Sequence, residues 1–359
     1  MRIGLIIYGS LDTLTGGYLY DRLLVEHLRR QGDQVDIISL PWRTYGRHLG
    51  DNLSLNLYRR LRHASFDALL QDELNHPSLF WLNQRLRRHV RYPIVTIVHL
   101  LRCSEPRPAW HNQLDRWVER RYLKGLDGLV FNSQTTQVAV EQLVGSHRPG
   151  AVAYPGRDHL PPTLTPQQIE ARTQQPGPLR LLFVGNLTPV KGLHTLLQAL
   201  GHVSSDMWCL TVVGSLTMDP DYVHSIRRQI DAFAWHDRVR LLGACPNAEV
   251  ATHLTQHQVL AVPSFYEAFG IAYLEAMGFG LPVIASSAGA AHELITQAEH
   301  GFLVAPGDAA TLAQHISTLQ HDRDCLRRMS LAAYRRAQMH PTWAECAGHV
   351  RELLQSLVR

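Results

Sequence analysis

Two glutamates and a lysine carry the chemistry most readily read from this chain. Glu267 and Glu275, separated by seven residues, belong to the stretch Pro263-Ser264-Phe265-Tyr266-Glu267-Ala268-Phe269-Gly270-Ile271 that continues through Glu275 to Pro282. A strand ending near Val262, a loop carrying Glu267 and Phe269-Gly270, and a helix containing Glu275 follow from the pattern. Backbone N–H groups at Phe269, Gly270 and Ile271 then lie between two carboxylates. Helix N-termini bind anions and carboxylates accept from hydroxyls, so the arrangement suits a phosphate group with hydroxyls on both sides. The plainer alternative makes Glu267 a cap and Glu275 a helix-surface residue.

The lysine lies about eighty positions upstream, in Val184-Gly185-Asn186-Leu187-Thr188-Pro189-Val190-Lys191-Gly192. An apolar run turns there and places Lys191 at the start of a helix reaching about residue 200. A mobile charge beside a helix terminus suits a diphosphate. Of the 35 Lys+Arg residues only Lys124 and Lys191 are lysine, which reads as genome bias and singles out Lys191. The loop 9–17 ends in Gly16-Gly17 at another helix start. Paired glycines admit an anion or sugar close to the backbone, or simply a flexible turn.

Several chemistries lack their signatures. Neither G-x-G-x-x-G after a first strand nor G-x-x-x-x-G-K-[ST] occurs, and no H-E-x-x-H motif is present among 21 histidines. His253 and His257 have the spacing of two ligands on a helix, but surface histidines are commoner than ligands. Five cysteines, far apart and never in a C-x-x-C pair, suggest neither disulfides nor a thiolate zinc site. A reducing cytoplasm is the expected compartment, and no stretch reads as a membrane span.

The elements that position these residues alternate. Apolar strand runs at 3–8, 35–40, 67–71, 94–99, 128–132 and 151–154 are interleaved with helical patterns at 18–31, 78–90, 109–124 and 134–144. Residues 155–178 hold six prolines and read as a connection. A second series has strands at 179–184, 209–213, 239–242, 259–262 and 282–285, and helices at 309–320, 323–338 and 342–358 close the chain. At 359 residues, two doubly wound α/β domains facing across a cleft are predicted, with ligands beyond the carboxyl ends of the strands. Residues 1–160 carry 21 Lys+Arg against 15 Asp+Glu, or +6, and the remainder 14 against 16, or −2. A basic first half suits phosphorylated substrates or an anionic membrane surface. Nucleic acid is not expected, because no basic and aromatic residues alternate as a stacking platform requires.

Taken together, S-F-Y-E-A-F-G-I-A-Y-L-E-A-M-G-F-G-L-P-V-I-A-S and the upstream V-G-N-L-T-P-V-K-G resemble the family 4 retaining glycosyltransferases of the GT-B fold, over essentially the whole chain. The resemblance implies two Rossmann-like domains: 1–160 for the acceptor, 161–340 for the nucleotide sugar, and a helix at 341–359 crossing back to the first. It implies that Lys191 holds the donor diphosphate, assisted by N–H groups of Phe269, Gly270 and Ile271. Glu267 would bind sugar hydroxyls and Glu275 the ribose. His99 resembles the histidine meeting the transferred sugar, Gly16 and Gly17 the loop closing on donor and acceptor, and Ser133 a serine at the cleft wall. Arg102, in the stretch 101–105, is a candidate acceptor contact.

One departure is Asn186, where the family carries an arginine; Arg157 is a candidate replacement. Segment 155–158 also departs from the family's Asn-Gly-Val-Asp. The implied reaction moves a hexose from a UDP- or GDP-sugar to a hydroxyl of a glycan, lipid-linked or other anionic acceptor with retention. No metal or cofactor is expected, and peripheral membrane association is compatible. An epimerase of the same fold would instead turn over donor alone, and a non-catalytic binding subunit would bind donor without transfer.

Overall fold

The computed structural model describes residues 1–105, 109–145 and 148–358. The chain divides into two compact units, Met1–Gly156 with Pro341–Arg359, and Arg157–His340. The first break falls four residues before the expected 160/161. Each unit is built on a six-stranded, all-parallel sheet.

In the first unit the strands are β1 (Arg2–Tyr8), β2 (Gln34–Leu40), β3 (Ala68–Asp72), β4 (Ile94–Val98), β5 (Gly128–Phe131) and β6 (Gly150–Val152), in the order β2-β1-β3-β4-β5-β6. Near-continuous apolar runs dictate this: Leu5, Ile6, Ile7, Leu69, Leu70, Val95 and Ile97 are fully buried, as in strands covered on both faces. In the second unit β7 (Leu179–Val184), β8 (Trp208–Val213), β9 (Val239–Gly243), β10 (Val259–Val262), β11 (Val283–Ser286) and β12 (Gly301–Val304) run β12-β11-β10-β7-β8-β9. The order reverses between β1 and β3 in one unit and between β7 and β10 in the other. Crevices beyond the carboxyl ends at such reversals are where doubly wound sheets bind ligands.

Three expectations are corrected. The connection 155–178 contains a helix, Pro166–Thr173, begun by a capping box between Thr165 and Gln168 with a proline in its first turn; proline there is pre-organised for a helix start. Its Arg172 is buried and donates to the carbonyls of Leu254, Thr255, Phe279 and Gly280. The helix expected at 78–90 is two short ones, His76–Leu79 and Leu82–Leu86, because Asn52 Oδ1 takes the N–H groups of Trp81 and Leu82 at 2.9 and 3.1 Å and interrupts the helical ladder. Strand β12 was not anticipated. Among the described residues, no helix is long and apolar enough to cross a membrane.

Candidate active site

The loops after β7 and β10 meet at the reversal of the second sheet. Phe265 N–H donates to the Val190 carbonyl at 2.7 Å, and Lys191 Nζ donates to Glu267 Oε2 at 2.7 Å. The lysine is partly exposed and the glutamate nearly covered, with side-chain exposures of 31% and 16%. Lys191 ends a single 3-10 turn, Pro189–Lys191, and helix Leu193–Leu200 begins only after Gly192, two residues later than expected. Gly192 has φ +73°, and a Cβ there would fall 2.1 Å from the Pro263 carbonyl oxygen. Only glycine lets the two loops approach this closely.

Glu267 is fixed from a third loop. Its N–H donates to Ala288 at 3.3 Å, and its carbonyl accepts from Ala290 at 2.8 Å. Ser264 Oγ adds a 3.3 Å bond to Oε2. Beyond it, Gly270 in left-handed conformation caps helix Ile271–Gly278, which Tyr273 anchors by donating to Val262 at 2.9 Å. The Phe269 ring is buried against His340, 5.6 Å between centroids, so this residue can offer a ligand only its backbone. Gly270 and Ile271 start the helix with N–H groups that an anion would meet end-on.

Glu275 is half-buried in the same helix, and its carboxylate has no partner among the described residues. Burial pushes its carboxyl up to about 8. A desolvated, unpartnered carboxyl group that keeps its proton can both accept from and donate to hydroxyls of a ligand. Thus the structure gathers Lys191, Glu267, Gly270, Ile271 and Glu275 around the loops following β7 and β10. Asn186 serves the scaffold instead, where its Oδ1 accepts from Ser215 N–H at 3.1 Å and ties the loops after β7 and β8.

The first unit gathers its own set. Helix Gly16–Arg30 starts after the Thr15 cap, and Gly17 faces His99; a Cβ at Gly17 would lie 3.3 Å from the imidazole. His99 Nε2 pairs with Asp21 Oδ1 at 3.1 Å, one turn along the same helix. Asn132 Nδ2 donates to the His99 carbonyl at 2.8 Å. Burial alone would lower the imidazole's pKa, but Asp21, with Asp72 and Glu73 behind it, holds it up at about 9. Asp72 is raised by burial and then by the Asp21 charge. Sequence reasoning missed Asp21 and Asp72; a carboxylate on the buried side of helix 16–30 and another ending β3 were the available signals.

Two trios in this unit, Asp21–Asp72–His99 and Glu73–His76–Glu119, bring their ligand atoms within 4.8 Å and have the composition to hold a metal ion. In the chain alone, retained protons balance them. Burial raises both Glu73 and Glu119 to about 8, followed by the Asp72 charge for Glu73 and the Glu73 charge for Glu119.

Three candidates prove to be held by structural contacts. Ser133, expected at a cleft wall, is fully buried and caps helix Gln134–Val144, accepting from Thr136 N–H at 3.0 Å. Arg102 pairs with Asp115 at 3.1 Å and stacks 4.5 Å over Tyr45, while its N–H donates to Glu119. Arg157, the candidate for the missing charge, donates to Gln338 at 3.2 Å, and among the described residues no contact joins it to Lys191.

Residues 165–336 match the family described as "Glycosyl transferases group 1". A glycogen synthase of Mycobacterium tuberculosis (strain CDC 1551 / Oshkosh) is 29% identical over 179 residues, 49% of this chain and 42% of its own length. The chain therefore aligns with less than half of that relative. The phosphatidyl-myo-inositol mannosyltransferase of Mycobacterium leprae (strain TN) is 27% identical over 99% of this chain and 97% of its own. Among solved structures, Anabaena HepE in complex with UDP-glucose superposes with a TM-score of 0.78 at 22% identity, covering 99% of this chain and 100% of that one. Residues 165–336 are thus similar to the group 1 glycosyltransferases, within a chain that has the GT-B fold.

Proposed function

We propose that this protein transfers a hexose from a UDP- or GDP-sugar to a hydroxyl of an anionic or lipid-linked glycan acceptor, with retention at the anomeric carbon. The observation that carries this reading is the Lys191–Glu267 pair, 2.7 Å apart, beside the open start of helix Ile271–Gly278. In the absence of donor, Glu267 neutralises Lys191. A donor diphosphate offers Lys191 a doubly charged partner, with Gly270 and Ile271 N–H groups as further donors, and leaves Glu267 to accept from sugar hydroxyls. Glu275 takes the ribose hydroxyls. The HepE complex with UDP-glucose supports the donor class, and the mannosyltransferase relative supports an inositol-lipid type of acceptor.

The anomeric C–O bond to the diphosphate breaks, the acceptor oxygen bonds to the same carbon on the same face, and the acceptor proton passes to a phosphate oxygen of the leaving group. Negative charge grows on the diphosphate, where Lys191 and the helix start stabilise it. No protein nucleophile or metal is invoked. In the first unit, His99, held cationic by Asp21, meets the transferred sugar, and Gly16 and Gly17 keep its approach open.

The test is calorimetric titration with UDP and GDP, paired with transfer assays. Charge-assisted hydrogen bonds contribute about 1.5–3 kcal/mol, so Lys191→Ala weakens nucleotide-diphosphate binding about ten- to a hundredfold, and Glu267→Ala lowers transfer. Unchanged binding in the first variant and unchanged transfer in the second would refute the assignment.

A further inference from the structure

The first unit carries a surface that none of this chemistry uses. Helix Ala109–Lys124 exposes Trp110, Leu114 and Trp117, at 66%, 45% and 56% of full accessibility. Their spacing of four and three positions aligns them along one side of the helix. Trp81, 44% exposed, follows Phe80, whose ring meets Trp117 edge-on at 5.9 Å. Indoles standing in water beside a leucine are costly on a free surface and mark an interaction site.

Trp117 also lines a hollow of about 590 Å³ with Gln84, Arg87, Arg88, Arg120, Arg121, Lys124 and Gly125. Five cations share this depression. Arg87 is neutralised by a close ion pair with Asp127, and Arg121 donates to Gln84 while lying 5.7 Å over the Trp117 ring. Among the described residues, the side chains of Arg88, Arg120 and Lys124 have neither a carboxylate nor a hydrogen-bond partner. Five positive charges against one negative is a local balance of +4, equal to the formal net charge of the whole protein.

We propose that this face docks on the surface of an anionic phospholipid bilayer. The indoles and Leu114 enter the headgroup boundary, and the hollow takes lipid phosphates. Tryptophan prefers that boundary because its ring is apolar and its N–H is polar, and cations beside an apolar helix stripe add attraction to anionic lipid. Single-stranded nucleic acid also pairs with cations and aromatic rings, but it needs open ring faces and a groove that follows a backbone. Here Arg121 covers the Trp117 face, and the cations line a single open depression rather than a groove. The surface shares no residue with the Lys191 site, so this docking stands or falls independently of the catalytic reading.

The experiment is co-sedimentation of the full chain with vesicles of phosphatidylcholine alone or with about one-third phosphatidylglycerol. The protein is expected to bind only the anionic vesicles. Each basic residue near such a surface contributes about a fivefold gain in partitioning, so R88Q/R120Q binds about thirtyfold more weakly. W110S/L114S retains only adsorption that high salt abolishes. UDP-induced thermal stabilisation stays as in the parent for both variants, which shows they fold. Absence of wild-type binding to anionic vesicles, or undiminished binding by R88Q/R120Q, would overturn the proposal. So would tighter binding to an oligothymidylate than to vesicles, or inorganic phosphate competing the protein off vesicles at equal ionic strength.

Discussion

At the scale of single residues, burial sets the proton of one carboxyl group beside the loops after β7 and β10. Glu275 keeps its proton to about pH 8 when folded, whereas an unfolded glutamate releases it near about 4.3. The raised group therefore contributes stability that is complete below about pH 4 and disappears as pH rises through about 8. Glu275→Gln does not titrate, so the melting temperature of the parent relative to this variant is expected to fall between pH 5 and pH 9. A pH-independent difference would sink this reading. Asp21 acts oppositely on His99. Removing a carboxylate in contact typically lowers an imidazole pKa by about one to three pH units, so Asp21→Asn should bring His99 well below its present value of about 9, as followed by NMR of the ring. Histidine titration unmoved by that substitution would mean Asp21 does not hold the charge.

At the scale of elements, the close approach of two loops depends on one backbone conformation. Gly192→Ala must place a side chain at φ +73° against the Pro263 carbonyl. The left-handed conformation alone costs about 1–2 kcal/mol, and the contact adds to it, so a lower denaturant midpoint for the second unit and weaker nucleotide binding are expected together. Loss of neither would show that the loops separate freely. These loops were legible because a buried strand, its turn residues and its functional residue are contiguous in sequence. The Asp21–His99 pair was not, since 78 positions separate its members and only the sheet brings them together. Ser133 misled because a serine after a strand looks the same whether it caps the next helix or touches a ligand. Helix Pro166–Thr173 was hidden because prolines that open a helix also mark a linker, and β12 because four residues are too few to show a period.

At the scale of the whole molecule, the chain divides into two compact units, and Lys191, Glu267 and Glu275, proposed to hold the donor, all lie in the second. Ligands stabilise what they bind, by about 2.7 kcal/mol at a hundredfold excess over Kd. Scanning calorimetry with UDP is therefore expected to raise one of two unfolding transitions and leave the other in place. A uniform rise of both would show that the units unfold as one. The first unit is nevertheless completed by residues from far along the chain. Helix Trp343–Leu357 buries Cys346, Ala347, Val350 and Leu354, sets Trp343 edge-on to Tyr20 at 5.6 Å, and pairs Arg351 with Asp33 at 2.7 Å. A Cβ on Gly156 would fall 2.1 Å from the Trp343 backbone nitrogen.

That returning helix has a consequence for synthesis on the ribosome. The second unit is continuous in sequence and can close as soon as it emerges, whereas the first must wait for a segment translated after all of Arg157–His340. At roughly 5–20 residues per second, about 10–40 s pass in which the older half of the chain is exposed without its last covering helix. The unit translated first is thus the later to finish, and a chaperone that binds nascent chains would be expected to dwell on it.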